Sequence, residues 1–471
     1  MNYVLDFASI LCYNNNTSQF KKGIRMKQTK RKPRIQTRNT FRTISIGFML
    51  LILCGALLLM LPISSQSRTV TPFRDTLFTA ISATCVTGLI VRDTATHWSL
   101  FGQAVILTMI QIGGMGVITV GLAIARLSGK KIGLWYRGMM QDSISAPQVG
   151  GILQLTKFIL RGSAVIELTG AVLLSPVFIR DFGLPRGLWY SLFHSVSAFC
   201  NAGFDLMGMR EKFSSLTTYG GNIYFNVIIM LLIIIGGIGF LTWDDIAEHK
   251  HHFKKYRLQS KIFLTTTAIL IFTPALLFFF SEYRAEPMTE RILHSLFQSV
   301  TARTAGFNSA DLSQMHESGQ SIMTVLMLIG GCSGSTAGGM KTATVAVLFL
   351  AALSVYRRKN DVQCFGRRIS EETVRSASAI LFMYIVLFMA TGIAISRIEQ
   401  LPLVTCLFET GSALGTAGLT LGITTGLSLP SHIMLMILMF MGRVGGLTLI
   451  YAALPNRQND ARLPQEKITV G

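Results

Sequence analysis

Apolar stretches of about 20 residues, enough to cross a hydrocarbon layer roughly 30 Å thick, recur along this chain at nearly regular intervals. The first is ISIGFMLLILCGALLLMLPI at Ile44–Ile63, which carries no charge. Others lie at Phe101–Leu127, Ile152–Ile179, Ile223–Ile246, Lys261–Ser281, Ile322–Tyr356, Thr373–Ser396 and Ser431–Leu454. The pattern predicts an all-α integral membrane protein with eight transmembrane helices. Between the two spans of each successive pair sits an apolar segment too short to cross: LFTAISATCVTGL (Leu77–Leu89), LFHSVSAFCNAGF (Leu192–Phe204), LFQSVTARTAGF (Leu296–Phe307) and LFETGSALGTAGL (Leu407–Leu419). Each opens on Leu-Phe, runs through small and hydroxyl residues, and closes on a glycine followed by Leu or Phe. The third copy is one residue shorter than the others.

A unit of about 110 residues is therefore written four times, and a repeat of that kind dictates architecture. It divides the chain into a basic tail (1–43), units at 44–148, 149–254, 255–369 and 370–455, and a second tail (456–471). Each short segment ends in polar backbone that lipid cannot satisfy, so it is expected to enter the membrane as a half-helix and return shielded by protein. The architecture expected is four helix–pore half-helix–helix units, with four re-entrant segments, around one central pore.

Half the residues are apolar and only 14% are charged, a composition shared by large soluble proteins and membrane proteins. Charge adds orientation. An even number of spans puts both termini on one face, and most of the 43 Lys and Arg fall on that face, which makes it cytoplasmic. The protein is thus expected to be multi-pass in the cell membrane with both termini cytoplasmic. The basic run Lys21–Arg42 reads as a juxtamembrane tail facing anionic lipid rather than as a nucleic-acid site. Translation from Met1 or from Met26 fits the sequence equally. The seven cysteines are scattered without a CxxC pair, so neither a disulfide framework nor a zinc site is indicated. His249, His251 and His252 read as part of a solvated basic loop. No soluble stretch is long enough for an enzyme domain.

Four extended strands after four half-helices, set around one axis, would present stacked rings of backbone carbonyls that replace the hydration shell of potassium. The strands are Val86, Thr87, Gly88, Leu89; Asn201, Ala202, Gly203, Phe204; Thr304, Ala305, Gly306, Phe307; and Thr416, Ala417, Gly418, Leu419. Glycine suits a backbone whose carbonyls must turn inward. The second span of each unit carries its own glycine mark: IGGMG (Ile112–Gly116), IGGIG (Ile235–Gly239), IGGCSGSTAGGMK (Ile329–Lys341) and MGRVGG (Met441–Gly446). The third mark is a near miss for a phosphate-binding loop, but it lies within an apolar span and reads better as an unwound break. Gly331, Cys332, Ser333, Gly334, Ser335, Thr336, Ala337, Gly338, Gly339, Met340 and Lys341 are expected to form a gate below the filter. Arg443, at the matching depth of the fourth unit, is expected to hold it through loop carbonyls. Arg303 and Glu409, charges beside the third and fourth half-helices, are expected to pair and brace the filter from behind.

The strings ATCVTGL, FCNAGF, TARTAGFNS, GTAGLT, GGCSGSTAGGMKT and MGRVGGLT resemble the pore subunits of the Trk/Ktr/HKT superfamily of potassium transporters, most of all the bacterial Ktr membrane subunit. The resemblance covers about Thr43 to Leu454. It implies filter glycines at Gly88, Gly203, Gly306 and Gly418, an intramembrane gating loop, a homodimer, and a cytoplasmic ring of nucleotide-binding regulatory subunits as partner. The loops Leu127–Gln148, Ile246–Ser260 and Arg357–Arg375 would offer that ring a surface, with lipid as the competing contact. Glycine in all four units implies potassium permeation, whereas serine in the first goes with sodium selectivity in some plant members. No second filter glycine follows, as it does in TVGYG, so fewer well-formed ion sites are implied and the degree of sodium discrimination and any sodium dependence stay open. No cofactor is expected in the chain beyond the transported ion. The competing readings are an alternating-access sodium/potassium symporter and a less selective channel for sodium or ammonium.

Overall fold

The computed structural model describes residues 36–116 and 151–445, together with Thr119, Arg137, Gly138, Met140 and Gln141. The basic tail up to residue 35, both candidate start sites, nearly all of the loop Leu127–Gln148, and residues 446–471 lie outside the described residues. The description below concerns the compact unit at residues 38–471 with the start of its first helix.

Helices follow in four groups. The first holds α1 (Gln36–Met60), α2 (Phe73–Thr84) and α3 (Leu100–Met115). The second holds α4 (Ile152–Phe182), α5 (Leu184–Phe199), α6 (Ile223–Gly237) and α7 (Phe240–His249). The third holds α8 (Leu258–Ser281), α9 (Met288–Thr301), α10 (Glu317–Leu328) and α11 (Thr342–Tyr356), and the fourth α12 (Glu371–Glu399), α13 (Leu403–Gly415) and α14 (Leu429–Val444). A two-residue β-hairpin, Gln363–Cys364 with Arg367–Arg368, joins the last two groups.

Each group opens on a helix long and apolar enough to cross a membrane: Arg42–Met60 within α1, then α4, α8 and α12. Their outward residues, such as Leu57, Val172, Phe272 and Phe382, are exposed apolar side chains, as expected of surfaces that face lipid rather than water. The chain is a multi-pass membrane protein. The short helices α2, α5, α9 and α13 bury most of their residues. Proline stands at the start of each (Pro72, Pro185, Pro287, Pro402), where its missing N–H costs the helix nothing.

Packing follows one rule. Each opening helix lies against the short helix of its own group in the second, third and fourth groups, while the helix after the filter reaches forward to the next group. So α3 packs on α5, α6 on α9, and α10 on α13, and α14 returns to pack on α2.

The sequence predicts a break only in the third group, but the second helix of the first, second and fourth groups also ends or bends at a glycine. Helix α3 stops at Gly116 (φ 87°) and α14 at Gly445 (φ 89°), while α6 and α7 meet at a 98° bend at Gly239 (φ 92°). In the third group residues 329–341 leave the helix altogether, as expected there. Left-handed φ at these glycines ends an α-helix without the steric cost that a Cβ would add. The marks read as close-packing glycines are therefore also helix terminators.

Candidate functional site

The backbone repeats one dihedral motif in all four strands. Val86 (φ 55°), Asn201 (57°), Thr304 (71°) and Thr416 (50°) are left-handed, and two residues later Gly88 (95°), Gly203 (69°), Gly306 (81°) and Gly418 (80°) are again at positive φ. Left-handed β-branched residues, unlike Asn, are rare and strained, and persist only where the surroundings fix them. Here the fixing bonds also repeat. The amides of Thr87, Ala202 and Ala417 each reach back five residues, to the carbonyls of Ser82, Ser197 and Ser412, at 2.8 Å. Ala305 reaches only four residues back, to Thr301 at 2.9 Å. The residue missing from the third copy is thus lost from the turn between half-helix and strand, and the acceptor position is kept.

The four glycines meet. A Cβ at Gly88 would lie 2.7 Å from the Ala202 carbonyl oxygen; one at Gly203, 2.8 Å from that of Ala305; one at Gly306, 2.7 Å from that of Ala417. One at Gly418 would collide with the Thr87 carbonyl, which closes the circle. Glycine is required at these positions by φ and by the neighbouring backbone alike.

Hydroxyls brace the strands from behind. Ser82 Oγ accepts from Gly88 N at 3.1 Å, while Ser197 Oγ and Thr301 Oγ1 donate to the carbonyls of Phe204 and Phe307 at 2.7 Å. Sequence reasoning had passed over these three, although a hydroxyl recurs at that place in every copy. It had also passed over Glu167, buried in α4, whose carboxylate accepts from Gln111 Nε2 of α3 at 2.9 and 3.0 Å beside the Cys200 turn. A lone acid in an apolar span was the available signal.

Arg303 and Glu409 make no ion pair, so that expectation is corrected. Glu409 is buried and accepts hydrogen bonds from Thr420 and, at 3.0 Å, from Thr424, both just beyond the filter strand of its own group. Arg303 reaches Thr267 Oγ1 of α8 at 3.5 Å. Local hydroxyls satisfy the acid without an ion-pair partner.

Residues 329–341 lie beneath the strands and are pinned on two sides. Gly237 O accepts from Cys332 N at 3.0 Å, Gly236 O from Thr336 N at 3.2 Å, and Gly334 O accepts from Phe240 N at 2.7 Å, all at the α6–α7 elbow. Thr336 Oγ1 donates to Phe199 O, the end of the second half-helix, at 3.0 Å. On the other side Gly339 N donates to Gly442 O at 3.1 Å, and the Arg443 guanidinium donates to the Thr336 carbonyl. Arg443 also donates to Gly113 and Gly114 carbonyls in the last turn of α3, at 2.5 and 2.8 Å. Those carbonyls belong to the last turn of α3, at the negative end of the helix dipole, and the Gly113 carbonyl also accepts from Gly116 N at 3.2 Å. Lys341 Nζ donates to Ala337 O within the loop at 2.7 Å.

On the opposite face Arg74 bridges the first and fourth groups, donating to Leu427 O at 2.9 Å and to His432 Nδ1. It lines a cavity of about 570 Å³ with Arg92, Asp93, His97 and Lys212. Burial, with the Arg92 charge beside it, holds the His97 imidazole below its ordinary pKa. Among the described residues no group of His, Cys, Asp and Glu is arranged to hold a metal.

Comparison with known proteins adds a lineage to this geometry. A family model described as a cation transport protein, TrkH, matches residues 13–461. The chain is 39% identical over 453 residues to the potassium/sodium uptake protein NtpJ of Enterococcus hirae, covering 93% of this chain and 99% of that one. It is 39% identical over 437 residues to the Ktr system potassium uptake protein B of Bacillus subtilis, covering 91% and 96%. The crystal structure of the potassium transporter TrkH from Vibrio parahaemolyticus superposes with a TM-score of 0.70 at 18% identity, over 90% of this chain and 86% of that one.

Proposed function

The chain belongs to the TrkH family of cation transport proteins, and from that premise we propose that it mediates potassium uptake by channel-like conduction through a filter made of its four glycine strands. The observation that carries this is the closed circle in which each glycine abuts the carbonyl that precedes the glycine of the next group. The forward packing of α3, α6, α10 and α14 supports four units around one pore. Carbonyls so arranged stand in for water around a dehydrated cation, and the C-terminal ends of the four half-helices add negative potential. The buried Thr87 and Thr416 hydroxyls have no protein partner and are available to an ion or its water.

Gly331–Lys341 act as the gate in this reading, and Arg443 is the latch. The pinned carbonyls and the guanidinium beneath the strands support the assignment. A cytoplasmic ring of nucleotide-binding subunits displaces the loop, acting on a homodimer. Support for a separate partner is that several relatives are named as components of a Ktr system. Both termini face the cytoplasm. A membrane potential of 100 mV, inside negative, contributes about 2.3 kcal/mol per entering charge, so accumulation of roughly fortyfold needs no further fuel.

Proteoliposomes with the purified chain test the proposal. Reversal potentials should track the potassium gradient, with flux that needs no co-ion. Flux that saturates at transporter rates and stops without sodium would favour the symporter reading, to which the potassium/sodium name of the Enterococcus relative lends weight.

A further inference from the structure

Between α4 and the α6–α7 elbow runs a groove of about 720 Å³, its floor formed by Val165, Ile166, Ile235, Ile238 and Trp243. Two cations, Lys157 and Arg161, stand on its α4 wall, one helical turn apart and so on one face. Neither has an ion-pair partner among the described residues. Of the three acids of α7, Asp244 and Asp245 are engaged by Arg257 at 2.9 and 3.4 Å, and Glu248, beyond the groove-lining Ile246 and Ala247, is exposed and makes no ion pair with Lys157 or Arg161. The wall thus offers unneutralised positive charge above an apolar slot.

Depth in the membrane points to the occupant. Helix α4 has 31 residues, about 46 Å at 1.5 Å per residue, so a helix standing upright and centred on a hydrocarbon layer about 30 Å thick would project roughly 8 Å beyond each side. Lys157, about 8 Å from its start, stands at headgroup level. Arg161 begins just inside the layer, from where its long side chain extends toward the interface. Trp243, at the same end, has an apolar body in the groove and an indole N–H satisfied by Ile235 O at 2.9 Å. A ligand with a negative head and an apolar tail matches charge, depth and lining together.

We propose that this groove is a site for one anionic phospholipid, with its headgroup phosphate between Lys157 and Arg161 and an acyl chain in the slot, and that occupancy biases the loop 329–341. The second part rests on the gate assigned above. The route is short, because Ile235, Ile238 and Trp243 flank the elbow whose backbone at Gly236, Gly237 and Phe240 is hydrogen-bonded to that loop. Filling the groove fixes the elbow angle, and the elbow carries one side of the loop. With the termini cytoplasmic, the lipid belongs to the cytoplasmic leaflet.

The test uses the full chain in vesicles of phosphatidylcholine with and without phosphatidylglycerol, and native mass spectrometry of lipids retained after extraction. Wild type should retain phosphatidylglycerol over phosphatidylcholine. The double variant Lys157→Gln/Arg161→Gln should lose that preference by a factor on the order of thirty, from about a fivefold contribution per cation. Val165→Trp keeps both charges but fills the slot, and should lose retention as well. Unchanged retention in either variant, with the fold intact by circular dichroism, would overturn the site. Retention unchanged but control by the cytoplasmic partner lost would mean that the groove docks a protein instead. In parallel, potassium flux should respond to phosphatidylglycerol in wild type and not in either variant. Lipid-dependent flux that survives the loss of retention would overturn the coupling. A chain that retains lipid selectively and passes no potassium would count against the transport reading and leave the lipid site standing.

Discussion

Gly88 combines a φ of 95° with a Cβ position 2.7 Å from a carbonyl of the next strand, so a side chain there must move backbone that the ion is proposed to touch. Gly88→Ser is expected to lower the potassium-to-sodium permeability ratio by about tenfold, equivalent to roughly 1.4 kcal/mol of lost discrimination. Bi-ionic reversal potentials check it, and an unchanged ratio would remove Gly88 from the filter. Arg443 works through hydrogen bonds rather than shape. Charge-assisted bonds are worth about 1.5–3 kcal/mol each, and Arg443→Gln loses the charge that binds Thr336 to the end of α3. Basal flux without the partner should rise roughly tenfold or more. A folded variant with wild-type basal flux would leave Arg443 a purely structural residue. The corrected pair teaches a related lesson. Opposite charges in neighbouring segments invite pairing on paper, but Glu409 lies within reach of Thr420 and Thr424, and hydroxyl donors already in place settle its orientation.

Helices that end at glycine make the elements of this protein unusually conditional. The 329–341 segment is held at both ends by helix and along its length by backbone bonds to two other groups, so shortening it should change gating before it changes folding. Deleting Gly334–Gly338 is expected to raise cation flux and to flatten its dependence on the partner. Wild-type flux with full regulation in the folded deletion would sink the gate. The opening helices, the short half-helices and the third-group break were all legible in the chain, because apolar length and runs of small residues are local properties. The ends of α3 and α14 and the α6–α7 elbow were not. A glycine in an apolar run is compatible with both a close contact and a turn, and only the backbone angle at Gly116, Gly239 and Gly445 separates them. The hydroxyl braces were equally hidden, since Ser82, Ser197 and Thr301 acquire meaning only when the strand folds back over them.

For the molecule as a whole, the driving force proposed is the membrane potential, and this has a direct signature. Potassium uptake into liposomes should scale with an imposed inside-negative potential and persist when sodium is replaced by a large organic cation. Uptake that vanishes on that replacement would make the protein a coupled carrier. The circle of four groups also has a property that no single group has. Three of its four boundaries are crossed by the polypeptide, and the fourth, where α14 meets α2, joins the last group to the first by contact alone. Two arginines sit at that boundary, Arg74 on one face and Arg443 on the opposite one. The circle is in effect a bracelet with a clasp, and a bracelet under tension opens at its clasp. Pulled apart by force or loosened by heat, the protein should part first between the fourth group and the first, and a peptide linker engineered across that boundary should strengthen it more than the same linker duplicated at any other.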